Sequence, residues 1–273
     1  MNRYRRPTTS LLTRLGSGVV SSVLAMASAA AAEDAPVLSL SQSIGLPSVT
    51  GRLDHLAIDA ESARLFVVAL AANSVEVVDL RAGKRVARLK GLHEPQGVVY
   101  LHESRRLLVA NGAGGGVTAF VDGKPPPVAS AGELDDADNL RFDETEGWLY
   151  AGYGHALAIV NPTSMRVSNR IDLAGHPEAF ELERAGRRIY VNVPGAHQIA
   201  VIDRDSGRAT AAWDIEGGGQ NFAMALDEPR QRLLVATRRP ARLLVYDTRT
   251  GKRTSRNPLC DDADDLFLDA RRH

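Results

Sequence analysis

The chain has 273 residues, 44% apolar and 24% charged, with 33 basic and 33 acidic side chains. Those proportions exclude disordered and fibrous classes, and the even charge balance argues against a general nucleic-acid binder. The single cysteine, Cys260, excludes an intrachain disulfide and a cysteine-based zinc site.

The first predicted element is an export signal. Arg3, Arg5, Arg6 and Arg14 make a positive leader without an acidic residue, Leu15 to Ala27 is weakly apolar, and Ala29 to Ala32 is a run of small residues. This pattern predicts a signal peptide over residues 1–32 and a periplasmic or secreted mature protein. Arg5-Arg6 is followed by Pro7-Thr8-Thr9, which fits a twin-arginine signal poorly. Removing the four leader arginines leaves 29 basic against 33 acidic residues, a net charge of −4. No later stretch reaches the ~18 uninterrupted apolar residues of a membrane span, so no span is expected after cleavage.

Residues 33–273 carry an internal repeat. An apolar run recurs as Arg64-Leu-Phe-Val-Val68, Arg106-Leu-Leu-Val-Ala110, Trp148-Leu-Tyr-Ala-Gly152, Arg188-Ile-Tyr-Val-Asn192 and Arg232-Leu-Leu-Val-Ala236, at steps of 42, 42, 40 and 44 residues by subtraction. Asp59, Leu101, Asp143, Glu183 or Asp227 stands five residues before each run, closing a preceding strand. A third strand follows, as in Val75 to Asp79 and Ile199 to Asp203. Three of these third strands enter an Asp-x-x-x-Gly turn: Asp79 to Gly83, Asp203 to Gly207 and Asp247 to Gly251. Asp caps such a turn and Gly takes its left-handed position. A weaker fourth strand comes next, for example Arg85 to Leu89.

Four short antiparallel strands per roughly 40 residues predict an all-β propeller of four-stranded blades. The middle strands are apolar at nearly every position, as strands buried on both faces are. Five complete blades are expected, at about 51–92, 93–134, 135–176, 177–220 and 221–261, with a partial sixth at 262–273. Ser39 to Leu46 stands where an outer strand would precede the first blade.

Arg64 to Asp79, Arg188 to Val193 and Ile199 to Asp203, with the connectors Glu94-Pro-Gln-Gly97, Asp136-Ala-Asp-Asn139 and Gly175-His-Pro-Glu178, resemble the YVTN-type β-propeller repeat of bacterial periplasmic proteins. The resemblance runs along residues 37–273. It implies a seven-bladed ring, of which this chain would be a C-terminally shortened version, and an exported protein. It is specific for fold and unspecific for activity. Related propellers include lactonases, the haem d1 domain of nitrite reductase and proteins encoded with quinone-cofactor alcohol dehydrogenases.

The leading tips of the first strands converge on the channel of a propeller. Here they carry Asp54 and His55, Glu94 and Gln96, Asp138 and Asn139, His176 and Glu178, Gln220 and Asn221, and Asp264 and Asp265. A ring of carboxylates and amides suits water, a small ligand or a hard cation, and His55 or His176 would suit a transition metal. The candidate metal set is Glu94, Asn139, Glu178 and Asn221. Arg238, Arg239 and Arg242 form a basic turn able to contact an anion or a partner. Gly112 to Gly116 lacks the Lys-Ser/Thr of a phosphate loop and reads as a hairpin turn. No Ser sits in a strand–turn–helix elbow and no Cys-x-x-Cys-His is present.

These features favour an exported, non-catalytic binding or scaffold propeller. Its partner would be a small ligand or a periplasmic protein, with neither nucleic acid nor a cofactor expected beyond a divalent cation. The alternatives are a lactonase-like metal-dependent hydrolase and a propeller associated with haem or a quinone cofactor.

Overall fold

Short apolar strands broken by turns pair with their nearest neighbours in sequence. In a computed structural model that describes residues 38–215, 217, 219–269 and 271, they form five antiparallel four-stranded sheets. The expected signal peptide lies outside the described residues. The chain divides into Met1–Ser41 and Gln42–His273, and the sheets belong to the second unit. Among the described residues no helix is long and apolar enough to cross a membrane.

Each sheet is a meander in sequence order. The first contains β1 (Leu56–Asp59), β2 (Arg64–Ala69), β3 (Ser74–Asp79) and β4 (Lys84–Leu89). The second contains β5 (Pro95–Leu101), β6 (Arg106–Asn111), β7 (Val117–Val121) and β8 (Lys124–Ala131). The third contains β9 (Leu140–Asp143), β10 (Trp148–Tyr153), β11 (Ala156–Asn161) and β12 (Arg166–Asp172). The fourth contains β13 (Phe180–Leu182), β14 (Arg188–Val193), β15 (Gln198–Asp203) and β16 (Arg208–Asp214). The fifth contains β17 (Gly219–Asp227), β18 (Arg232–Arg239), β19 (Ala241–Asp247) and β20 (Arg253–Pro258). The five repeated runs open β2, β6, β10, β14 and β18, while β17 starts ahead of the expected boundary at residue 221.

The turns form for the reason their sequence indicates. The Oδ1 atoms of Asp79, Asp203 and Asp247 accept from the backbone N–H three residues on, at 2.8, 2.8 and 2.7 Å. Gly83, Gly207 and Gly251 then take positive φ of 62°, 63° and 70°. Every sheet also has a register shift between its third and fourth strands, for example at Val77/Val78 and Val201/Ile202. An extra residue there increases local twist, and its recurrence gives the outer strands a common shape.

Four hydrophobic clusters join consecutive sheets. Phe66, Val75, Val77, Tyr100 and Phe120 lie between the first and second. Leu108, Val117, Leu140 and Leu149 lie between the second and third. Tyr150, Leu157, Phe180 and Val191 join the third to the fourth. Tyr190, Val201, Met224, Leu233 and Tyr246 join the fourth to the fifth. A strand such as β6 therefore buries Leu107 on one face and Leu108 on the other, both at 0% exposure. Each such side chain contributes about 1.5–3 kcal/mol by leaving water. A single sheet has no second layer, so stacking alone supplies the core. Among the described residues no such cluster joins the fifth sheet to the first.

Ion pairs run alongside these cores. Arg64 at the start of β2 pairs with Asp59 at 2.8 Å and reaches Asp122, in the β7–β8 turn of the next sheet, at 2.9 Å. Arg106 donates to the carbonyl of Pro162 in the next sheet at 2.6 Å, and Arg188 donates to that of Thr248. The corresponding position in the third sheet is Trp148. There Arg204, from the β15–β16 turn, reaches back to Asp143 and to the carbonyls of Glu183 and Gly186.

Residues 39–46, expected to hold an outer strand, carry none. Just after them, the carbonyls of Pro47 and Ser48 accept from Arg85 and Arg88 at 3.0 and 3.2 Å, which places residues 47–48 against the first sheet. Both arginines also pair with Glu76, whose side chain is fully buried. Residues 263–269, the expected start of a further blade, likewise have no strand assignment.

Candidate functional site

The first strands begin with polar residues held in place by their second strands. The backbone N–H of Asp54 donates to Val68, that of Asp138 to Gly152 and that of Glu178 to Asn192, each at 2.9 Å. Gly97 allows the second and third sheets to approach, because a Cβ there would stand 2.0 Å from the Asp138 carbonyl oxygen. The tips thereby converge on a cavity of about 120 Å³. Arg52, Asp54 and His55 line it from the first sheet, Gln96 from the second and Asp138 and Asn139 from the third. Glu178 and Ala179 come from the fourth sheet, Phe222 and Arg238 from the fifth, and Asp264 from the segment beyond it.

Charges in the cavity are largely paired. Arg52 lies 3.3 Å from Asp54. His55 Nδ1 lies 3.0 Å from Asp265 Oδ2, and its Nε2 lies 3.7 Å from Asp138 Oδ1. Arg238 contacts Asp262 at 2.9 Å and also pairs with Asp264, while its guanidinium sits 3.6 Å from the Phe222 ring centroid. Asp262 to Asp265 thus provide a polar link between the fifth sheet and the first.

Burial by itself would depress the His55 imidazolium, but the neighbouring Asp138 carboxylate and the hydrogen-bonded Asp265 overcome this and raise its pKa to about 10. Burial also tends to raise Asp265, yet the bond to His55 holds that carboxyl below its ordinary value. Asp54 is raised by burial. Glu178 is pushed up to about 8, first by burial and then by the charge of Asp138. Among the described residues Glu178 has no ion-pair partner, although the field of Arg238 partly offsets its burial. The Oδ1 of Asn139, a residue only 3% exposed, has no hydrogen-bond partner either.

The structure brings together His55, Gln96, Asp138, Asn139, Glu178, Arg238 and Asp264 around one cavity, with Asp265 on the far side of His55. His176 does not line it but stands at its edge: one ligand atom each of Asp138, His176 and Glu178 lie within 4.8 Å of one another. Glu94 is exposed and lies outside the cavity, with a backbone φ of 46° and its N–H given to Asn73. Asn221 is fully buried between sheets, where its Nδ2 donates to Asn192 Oδ1 at 2.9 Å and to the Gln198 carbonyl at 3.0 Å. The set Glu94, Asn139, Glu178 and Asn221 is therefore not gathered at one point. Arg239 is exposed, and Arg242 donates to the carbonyl of Ala241 beside a different, smaller cavity.

Sequence reasoning did not find Arg52 and Phe222, and it placed Arg238 in a turn. Strand β18 runs on past Thr237, which pairs with Asn221, to Arg239, which pairs with Gly219. That extension carries Arg238 level with the tip of β17. The signal in the sequence was the uninterrupted stretch from Arg232 to Arg239 before Pro240.

No protein-family model matches the chain, and no curated protein matches it. Among solved structures, hydrazine synthase from Kuenenia stuttgartiensis is similar in fold, with a TM-score of 0.57 at 13% identity over 79% of this chain and 89% of that one. The fold is a β-propeller. Its five complete blades are the five sheets, and the cavity lies where their first strands meet. Identity this low carries the architecture and leaves the chemistry to the residues.

Proposed function

We propose that this propeller is an exported, non-catalytic binding protein whose central mouth takes a small polar ligand bearing positive charge. The observation that carries this reading is the single cavity of about 120 Å³ to which all five blades contribute. Asp54, Asp138 and Asp264 have cationic neighbours in Arg52, His55 and Arg238, whereas Glu178 has no ion-pair partner among the described residues. A positively charged ligand would displace the proton that burial keeps on Glu178 in the empty mouth and pair with the carboxylate, and Gln96 and Asn139 would supply amide contacts. The leader composition, Arg3 to Ala32, supports export. The net charge of −4 for the mature chain, from 29 basic and 33 acidic residues, also favours cationic over anionic partners.

The test is a thermal-shift and calorimetry panel of small ammonium compounds, divalent cations and small carboxylates against the purified protein. At least one cationic class should raise the melting temperature, and Glu178→Gln should remove the shift. Stabilisation by carboxylates alone, or shifts indifferent to Glu178→Gln, would defeat the reading.

A further inference from the structure

We infer that Asp138, His176 and Glu178 bind a divalent transition cation of the Zn²⁺ or Mn²⁺ class, with the Asn139 amide oxygen as a fourth donor. The inference rests on the reading of the central mouth as a ligand site and specifies its occupant. The first support is geometric. The three side chains come from the leading ends of two adjacent blades, and one donor atom of each lies within 4.8 Å of the others. A tetrahedral ion with bonds of ~2.1 Å holds its donors about 3.4 Å apart, a distance reached by small side-chain rotations.

The second support is the histidine's hydrogen bonding. His176 Nδ1 lies 2.9 Å from the carbonyl oxygen of Gly154, which accepts only if the proton is on Nδ1. That tautomer leaves the Nε2 lone pair free. Metal-bound histidines are commonly oriented in this way by a second partner.

The third support is independent of the acidic pair. Asn139 is 3% exposed, its Oδ1 has no hydrogen-bond partner, and it lines the cavity that Asp138 and Glu178 share. A buried carbonyl oxygen left unpaired is costly, and a cation would satisfy it. The two facing carboxylates point the same way. Asp138 and Glu178 both line the same cavity from adjacent blades, so two carboxylates face the position one dication would take. His55 lies 3.7 Å from one oxygen of Asp138, leaving the other for the ion. Donor type selects the metal. An imidazole nitrogen disfavours Ca²⁺ and Mg²⁺, which take oxygen donors, and the absence of thiolate from the cluster disfavours soft ions.

The experiment uses the full chain, stripped with chelator. Binding of Zn²⁺, Mn²⁺, Ca²⁺ and Mg²⁺ is measured separately by calorimetry and by metal analysis after dialysis. The inference expects one Zn²⁺ or Mn²⁺ per chain, held at least tenfold more tightly than Ca²⁺. His176→Gln and Glu178→Gln should each weaken it at least tenfold, while His102→Gln, at an exposed histidine outside the cluster, should not. His176 is half-buried, so its variant should keep the fold, and unchanged circular dichroism would confirm this. No stoichiometric binding, or binding indifferent to both variants, would overturn the inference. If ammonium compounds still bind through Glu178 while the metals do not, the metal assignment alone falls. If neither binds, the reading of the mouth falls with it.

Discussion

Arg204, in the β15–β16 turn of the fourth blade, forms a buried ion pair with Asp143 at the end of β9 in the third, and both side chains are 4% exposed. In the first, fourth and fifth blades the corresponding acid is paired by the arginine that opens the next strand: Arg64, Arg188 or Arg232. The third blade has Trp148 at that position. Arg204 supplies the missing cation from the neighbouring blade, so an element that is local elsewhere becomes an inter-blade tie. Removing one partner of a buried pair leaves the other charge without compensation. Arg204→Met should therefore cost about 3–5 kcal/mol, read from urea unfolding. The double variant Arg204→Met/Asp143→Asn should recover a large part of that loss. If the double variant loses the sum of the losses of Arg204→Met and Asp143→Asn measured singly, the pair does not act as a unit.

Gly97 packs against the backbone beside the mouth. A Cβ at this position would lie 2.0 Å from Asp138 O and 3.2 Å from Asn139 Cα. Neither atom belongs to a flexible side-chain end, so the blades must separate. Gly97→Ala should destabilise by about 1–3 kcal/mol and disturb ligand or metal binding at Asp138. Unchanged melting and unchanged binding would contradict the close approach.

Stability should fall as pH rises through the neutral range. His55 goes from an ordinary pKa of 6.5 to about 10 on folding, so its contribution is complete below pH 6.5 and is lost as pH climbs toward 10. Glu178 goes from 4.5 to about 8. The fold therefore prefers its protonated form, and stability declines between pH 4.5 and about 8. In metal-free protein, melting measured from pH 5 to 10 should show both slopes. Glu178→Gln should flatten the lower part and His55→Gln the upper. A melting temperature independent of pH across this range would refute both assignments.

Glu76 holds the segment before β1 at one remove. Its fully buried carboxylate binds Arg85 at 2.9 Å and Arg88 at 2.7 Å and accepts from Ser74 at 2.8 Å. The same arginines bind the carbonyls of Pro47 and Ser48. Glu76→Gln should cost about 1–3 kcal/mol and increase amide exchange or protease cleavage around residues 46–52. Cleavage confined to other turns would show that the arginines hold this segment without the acid.

The architecture was legible because its determinants are local and repeated. The apolar runs at Arg64, Arg106, Trp148, Arg188 and Arg232 open the five second strands, and Asp79, Asp203 and Asp247 cap the turns that their spacing indicates. A strand buried on both faces has to be apolar throughout, and a hairpin needs Asp and Gly at set offsets. Such signals survive reading one residue at a time. The mouth was only partly legible. Tip position nominates Glu94 and Asn221 as readily as Asp138 and Glu178, yet Glu94 turns away to solvent and Asn221 is fully buried between blades, its Nδ2 given to Asn192 and Gln198. The pairings of Arg204 with Asp143 and His55 with Asp265 join residues 61 and 210 positions apart. Their formation depends on how the blades stack and where the segment after β20 runs, and that three-dimensional closeness leaves no trace in the order of the residues.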